Sequence, residues 1–290
     1  MAEYITDPFS LDNSLLDSQL AAKACSGDGT ALEQLVFRHQ NWVFNISLRM
    51  IGNYDDATDI SQEIMIKMIT SISSYKGMGK FSSWLYRIAV NTIRDFNRSK
   101  NSFRKYGISI DSTPDIELSE NRYMNVENKI LEEEILSLCL LGMLLCLSTS
   151  QRIVFILGGI FSFPQNDICE TLKIKPHVFR KRLQRAREQL SNFMNERCGL
   201  VNSRNHCQCR LKIKPLIESG LVDPNNLIFN KNKYDSVISQ LPRKVKDFSN
   251  FYNSKNMDLF LKQPFYKTDA SSYIHNIISN PNLEKIFSLD

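Results

Sequence analysis

Several kinds of chemistry have no foothold in this chain of 290 residues. It has no Gly-rich phosphate loop, no His/Glu metal motif and no nucleophile elbow. Those absences leave an enzymatic reading with little support. Strand-type alternation of β-branched residues is missing, and so is any internal repeat, which excludes a β-sandwich or a repeat array. The N-terminal stretch MAEYITDPFSLDNS has early acids and no basic start before an apolar core, so it is not expected to be a secretory signal. No apolar run is long enough to span a bilayer. Ile135 to Leu147 covers about thirteen residues, against the roughly twenty that a spanning helix needs. It is flanked by Glu132, Glu133 and Glu134 and predicts a buried core helix, with no stable membrane insertion.

What is present is helical and unevenly charged. The formal charge of +5 is too mild to argue for nucleic acid by itself, so the placement of the cations has to decide. Seven cysteines, an odd number and mostly scattered through apolar helical patterns, suit a reducing, cytoplasmic compartment better than a disulfide framework. Residues 1–18 read as a loose arm. From 19 to 100 the pattern is helical, broken at Gly27-Asp28-Gly29, Gly52-Asn53 and Gly77-Met78-Gly79. Residues 101–127 lose the periodicity and read as a linker. A second helical stretch, 128–196, follows. An extension, 197–290, changes composition, with short helices expected at 213–219, 258–261 and 272–278.

Three constellations carry the functional signal. The stretch Phe81 to Arg98 has an apolar stripe of Trp84, Leu85, Ile88, Ala89, Ile93 and Phe96, with Ser82 at the expected N-cap. Its other face offers Arg87, Asn91, Arg94 and Arg98 beside Asp95. A solvated surface and a face that reads phosphates and base edges both fit. Upstream, Asp55, Asp59, Gln62 and Glu63 share a helix face with Asp56 near its start, opposite Ile60, Ile64 and Met68. Clustered carboxylates could serve as metal ligands or acid/base groups, but no histidine lies nearby, and such a row more often meets a basic protein partner. Downstream, Ser162-Phe163-Pro164-Gln165 fits a capping box, Ile168 and Leu172 share a face, and a short turn leads to a helix opened by Pro176. That helix is striped by Phe179, Leu183, Ala186, Leu190 and Phe193. With Lys173 and Lys175 before it and Arg180, Lys181, Arg182, Arg185 and Arg187 on it, it concentrates cations as a recognition helix does.

Taken in order, DDATDISQEIMIKM, FSSWLYRIAVNTIRDFNR, a linker and a helix-turn-helix ending RLQRAR resemble the extracytoplasmic-function type of bacterial sigma factor. The resemblance implies an all-α fold of two small helical domains, similar to sigma regions 2 and 4, joined by a linker and followed here by an extension. It implies a factor that binds RNA polymerase core and directs promoter recognition, melting and initiation without catalysis of its own. Asp55, Asp56, Asp59, Gln62 and Glu63 would then meet the β′ clamp helices, and the second domain the β flap. Tyr75, Lys76, Lys80 and Phe81 lie in or beside the loop that, in this family, captures a flipped base, and their rings and cations suit an unpaired base. Arg87, Asn91, Arg94, Asp95 and Arg98 fall on the −10 reading helix, while Trp84 is assigned to the core. Lys175, His177, Arg180, Lys181, Arg182 and Arg185 fall near the −35 duplex. The resemblance leaves open an anti-sigma protein. The runner-up is a helix-turn-helix regulator that acts without polymerase core.

The turn departs from the family pattern. Lys173 stands where Gly is usual and Lys175 where Ser is usual, and His177-Val178-Phe179 replaces the commoner Gly-Thr-Val. A non-Gly residue held in left-handed geometry costs on the order of 1 kcal/mol. In the extension, Cys198, His206, Cys207 and Cys209 could bind zinc or another soft metal, or sense redox state. Structural packing explains them as well, because the spacing is not of the paired CxxC type and the adjacent His206 and Cys207 reach one ion with difficulty.

Overall fold

The computed structural model describes residues 11–99 and 126–230. The rest of the linker and the helices expected at 258–261 and 272–278 lie outside the described residues. Among the described residues the chain is helical, with one isolated β-bridge between Cys198 and Cys207. Two units form.

The first unit is built on α2 (Gly29–Ile51), with α1 (Leu11–Cys25), α3 (Tyr54–Thr70) and α4 (Phe81–Ser99) packed on it. α2 is buried continuously from Trp42 to Ile51, because neighbours cover it on all sides. Leu35, Phe44, Ile46, Leu48, Met50, Ile64, Met68, Ile69, Phe81 and Leu85 form the fully buried centre. Each such side chain contributes about 1.5–3 kcal/mol of burial.

The helix boundaries follow from the breaking residues. Asp28 caps α2 by accepting from the Ala31 N–H at 3.0 Å. Gly52 ends α2 at φ 83°, and Asn53 caps α3 by accepting from the Asp56 N–H at 2.9 Å. The N-terminal expectation needs correction, since residues 11–18 belong to α1. Asp17 there is buried, accepting from Arg38 Nε at 2.7 Å and lying 3.0 Å from His39 Nε2.

The first unit also includes Phe163–Pro176, which carries α7 (Gln165–Leu172). The Phe163 ring lies 5.7 Å from Trp42 and 5.3 Å from Tyr86. Ser83 Oγ donates to Asp167 at 3.3 Å, and Arg87 donates to Glu170 at 3.1 Å. The sequence grouped this helix with 128–196; its contacts join it to α4.

The second unit holds α5 (Val126–Cys146), α6 (Thr149–Phe155), a π-helical turn (Ile156–Ile160), α8 (Pro176–Arg197) from His177 on, and α9 (Cys209–Glu218). Ile130, Ile135, Leu138, Leu140, Leu141, Met143 and Leu144 of α5 are buried, which accounts for the apolar run. No helix among the described residues is long and apolar enough to cross a membrane. Buried Arg152 closes the end of α5, donating from Nε to the Leu144 carbonyl at 2.8 Å and from Nη2 to the Leu145 and Leu147 carbonyls at 2.8 and 3.0 Å. Ser148 and Gln151 form a capping box for α6.

The extension is part of this unit as far as it is described. α9 packs on α5 and runs longer than the segment 213–219 expected. Buried Glu134 of α5 accepts from the backbone N–H groups of Ile228, Phe229 and Asn230 at 2.6, 3.0 and 3.1 Å, and from Asn230 Nδ2 at 2.8 Å.

Candidate nucleic-acid interface

The loop before α4 is shaped by two glycines, Gly77 at φ 71° and Gly79 at φ 100°, in a region other residues enter at a cost. The Tyr75 hydroxyl donates to the Gly79 carbonyl at 2.7 Å and draws the loop over its own ring. Tyr75, Phe81 and Trp84 pack together with centroids 5.4–5.8 Å apart, and His39 lies 5.3 Å from Phe81. This cluster corrects the expected base-capture set. Phe81 is fully buried and Tyr75 nearly so, because both rings fill the gap between the loop and α2, so they support the loop. Trp84, assigned to the core, is half-exposed. Lys76 is exposed and Lys80 half-exposed. Met78, which the sequence analysis passed over, is 84% exposed at the tip. Its position between two turn-forming glycines was the available signal.

α4 begins at Phe81, with the Lys80 carbonyl accepting from Ser83 and Trp84. Ser82 is therefore inside the first turn, buried, and its hydroxyl has no partner, contrary to the expected N-cap. Arg87, Asn91 and Asp95 are exposed on the polar face and Arg94 is half-exposed; Arg98 lies in the helix, but its side chain is outside the described residues. α7 engages Arg87 through Glu170. Both side chains are largely solvated, so the pair is worth about 0–1 kcal/mol.

The acidic row of α3 stands as expected, opposite buried Ile60, Ile64 and Met68. Asp55, Asp59 and Glu63 are exposed, and Asp56 and Gln62 half-exposed. Asp55 and Asp56 in the first turn also complement the helix dipole. Glu63 takes an i,i+4 ion pair from Lys67 at 2.6 Å. Phe37 of α2 is a further exposed apolar side chain, 68% accessible, that the sequence analysis did not single out.

The expected capping box at Ser162 does not form. The N-cap of α7 is Pro164, without a side-chain bond, and Ser162 sits at φ 53°. Lys173 does adopt the left-handed conformation, at φ 52° and ψ 47°, and ends α7. The Ile174 N–H closes the turn on the Cys169 carbonyl at 3.0 Å. On α8, Phe179, Ala186, Leu190 and Met194 are buried, while Phe193 is partly exposed. Lys175 before the helix and His177, Arg180, Lys181, Arg185 and Arg187 along it are exposed, and Arg182 is half-exposed. This basic face can neutralise several phosphates. Cys198, Cys207 and Cys209 lie partly buried in the segment after α8, and His206 there is exposed.

Comparison with known proteins places these elements within two family regions. Residues 35–103 match the Sigma-70 region 2 model and residues 137–190 the Sigma-70, region 4 model. The chain belongs to the sigma-70 family, in its extracytoplasmic-function branch. The ECF RNA polymerase sigma factor SigE of Mycolicibacterium smegmatis is 28% identical over 66% of this chain and 74% of its own length. SigW of Bacillus subtilis is 29% identical over 59% of this chain and 92% of its own length. The ECF sigma-E factor of Haemophilus influenzae is 40% identical, over 28% of this chain and 43% of its own length. A solved structure of CnrH in complex with the cytosolic domain of CnrY aligns at a TM-score of 0.46 and 24% identity, over 62% of this chain and 98% of that one. The acidic row of α3, the loop and α4 fall within the region 2 match of this sigma factor. α7 and the basic face of α8 fall within region 4, and the extension from Cys198 lies beyond both.

Proposed function

We propose that this sigma factor divides its work among the three surfaces described. It directs promoter recognition and transcription initiation with RNA polymerase core, and the polymerase does the chemistry. The acidic face of α3, with Asp55, Asp56, Asp59, Gln62 and Glu63, docks on basic helices of the polymerase clamp, and the region 4 part meets the flap. Lys76, Met78 and Lys80 on the loop, with Trp84 behind them, receive the displaced strand; Arg87, Asn91 and Arg94 of α4 contact the −10 element. Lys175, His177, Arg180, Lys181, Arg182 and Arg185 contact the −35 duplex. The factor works in the cytoplasm, where its DNA and polymerase are, and an anti-sigma protein is a further partner consistent with the family.

The observation that carries this reading is the presence of both sigma regions, in order, on one chain. Copurification with core polymerase and promoter-specific transcription in vitro test it. A DNA-binding regulator of the helix-turn-helix kind would bind a promoter fragment without core and support no initiation.

A further inference from the structure

The loop that carries Lys76, Met78 and Lys80 has little in its own sequence to hold it in one shape. Gly77 and Gly79 supply the positive φ it needs, but glycine also loses the most conformational freedom when it is fixed. Ordering left until a strand arrives weakens binding, so a loop braced beforehand binds more tightly.

The brace comes from α1, which ends before the region 2 match begins at residue 35. α1 packs on the 3₁₀ turn Ile72–Ser74 that leads into the loop, and on α4, which follows it. At the end of α1, Cys25 Sγ donates to the Ile72 carbonyl at 3.1 Å and stands 3.9 Å from the Tyr75 carbonyl. The Tyr75 N–H donates to the same Ile72 carbonyl at 2.9 Å, so the thiol ties α1 to the turn where the loop begins. Two helical turns earlier, buried Asp17 lies 3.0 Å from His39 Nε2, and a carboxylate on one ring nitrogen fixes how the imidazole is turned. The buried His39 ring lies 5.3 Å from Phe81, and Phe81 meets Tyr75 edge-on at 5.5 Å. The Tyr75 hydroxyl then holds the Gly79 carbonyl at 2.7 Å. A continuous line of contacts thus runs from α1, through three packed rings, to the second glycine of the loop.

We propose that Cys25 and His39, the latter oriented by Asp17, are positioning residues for strand capture. Through the Ile72 turn, Phe81 and Tyr75 they hold the loop in the shape that receives the displaced strand. This rests on the reading that Lys76, Met78 and Lys80 meet that strand. Asp17 and His39 are fully buried and Cys25 is half-buried, so they act through the loop.

The test uses the full chain bound to polymerase core. Affinity for a single-stranded oligonucleotide with the −10 sequence of a promoter mapped for the wild-type chain is read by fluorescence anisotropy, beside the rate at which that promoter opens. Tyr75→Phe keeps the ring and removes only the bond to Gly79, and Cys25→Ala removes the thiol. Each should weaken oligonucleotide binding and slow opening roughly three- to tenfold. His39→Gln, which keeps a donor for Asp17 but no ring against Phe81, should act in the same direction. Competition for core and −35 duplex binding should stay at wild-type values, which a general loss of folding would not allow. Cys25→Ser, whose hydroxyl can donate to the Ile72 carbonyl, should restore both readouts. Wild-type strand binding and opening in Tyr75→Phe and Cys25→Ala overturn the proposal and leave the sigma reading standing. So does an equal loss of core, −35 and strand binding, which marks a structural role alone. A wild-type holoenzyme that opens no promoter removes the reading itself, and the proposal with it.

Discussion

Three buried or strained side chains decide local stability. Asp17 is the first: burial pushes its carboxyl up, but the hydrogen bonds and charges of His39 and Arg38 outweigh that and hold it below the usual carboxylate range. A carboxylate whose folded pKa is depressed contributes stability above its unfolded pKa of about 4 and loses it as pH falls through the folded value. Asp17→Asn should therefore lower stability by about 2–3 kcal/mol at neutral pH. The deficit should shrink as urea melts are taken to lower pH. Lys173 is the second, since its left-handed backbone is strained. Lys173→Gly should raise the denaturation midpoint by the equivalent of about 1 kcal/mol, with the helix-turn-helix intact. Glu134 is the third, where burial raises the carboxyl while the N–H donors of residues 228–230 pull it down. Glu134→Gln turns an amide toward those donors, and should cost about 1–3 kcal/mol and speed amide exchange at 228–230.

At the scale of elements, charge placement separates the surfaces. Asp59→Lys on α3 should weaken association with polymerase core, measured by competition for core against the wild-type chain, and leave −35 DNA binding of the chain alone unchanged. Arg180→Ala on α8 should do the reverse. It should weaken binding to −35 duplexes of any sequence and flatten the slope of log K against log salt by about 1 if Arg180 contacts a phosphate, whereas a base contact would relax sequence preference. Much of this was legible beforehand. The glycine breaks announced the ends of α1 and α2 and the loop before α4, because positive φ is written into the residue type. The stripes of α3 and α8 announced their buried faces in the same way. The roles of Tyr75, Phe81 and Trp84 were not legible. An aromatic ring in a lysine-bearing loop reads alike whether it points in or out, and here the packing of His39 and the Tyr75–Gly79 bond decided it. The capping box at Ser162 failed for a related reason, since Phe163 is buried against Trp42 and Tyr86 and the chain enters α7 from that anchor.

At the scale of the whole molecule, the order of the two family regions fixes the role, and the extension adds a feature of its own. The extension could not be placed from sequence, because its anchors lie far away along the chain: Glu134 for residues 228–230 and α5 as a whole for α9. The apolar run of α5, too short in sequence to span a membrane, is covered in part by α9 and the segment to Asn230. The central claim is that this chain confers promoter-specific initiation on a polymerase that lacks it. The direct measurement is in vitro transcription with purified core enzyme on genomic fragments, with start sites mapped with and without the chain. The account predicts start sites that appear only when the chain is added, share upstream −10 and −35 sequences, and weaken with Asp59→Lys. Promoter binding by the chain without core, together with start sites unchanged by its addition, would contradict it.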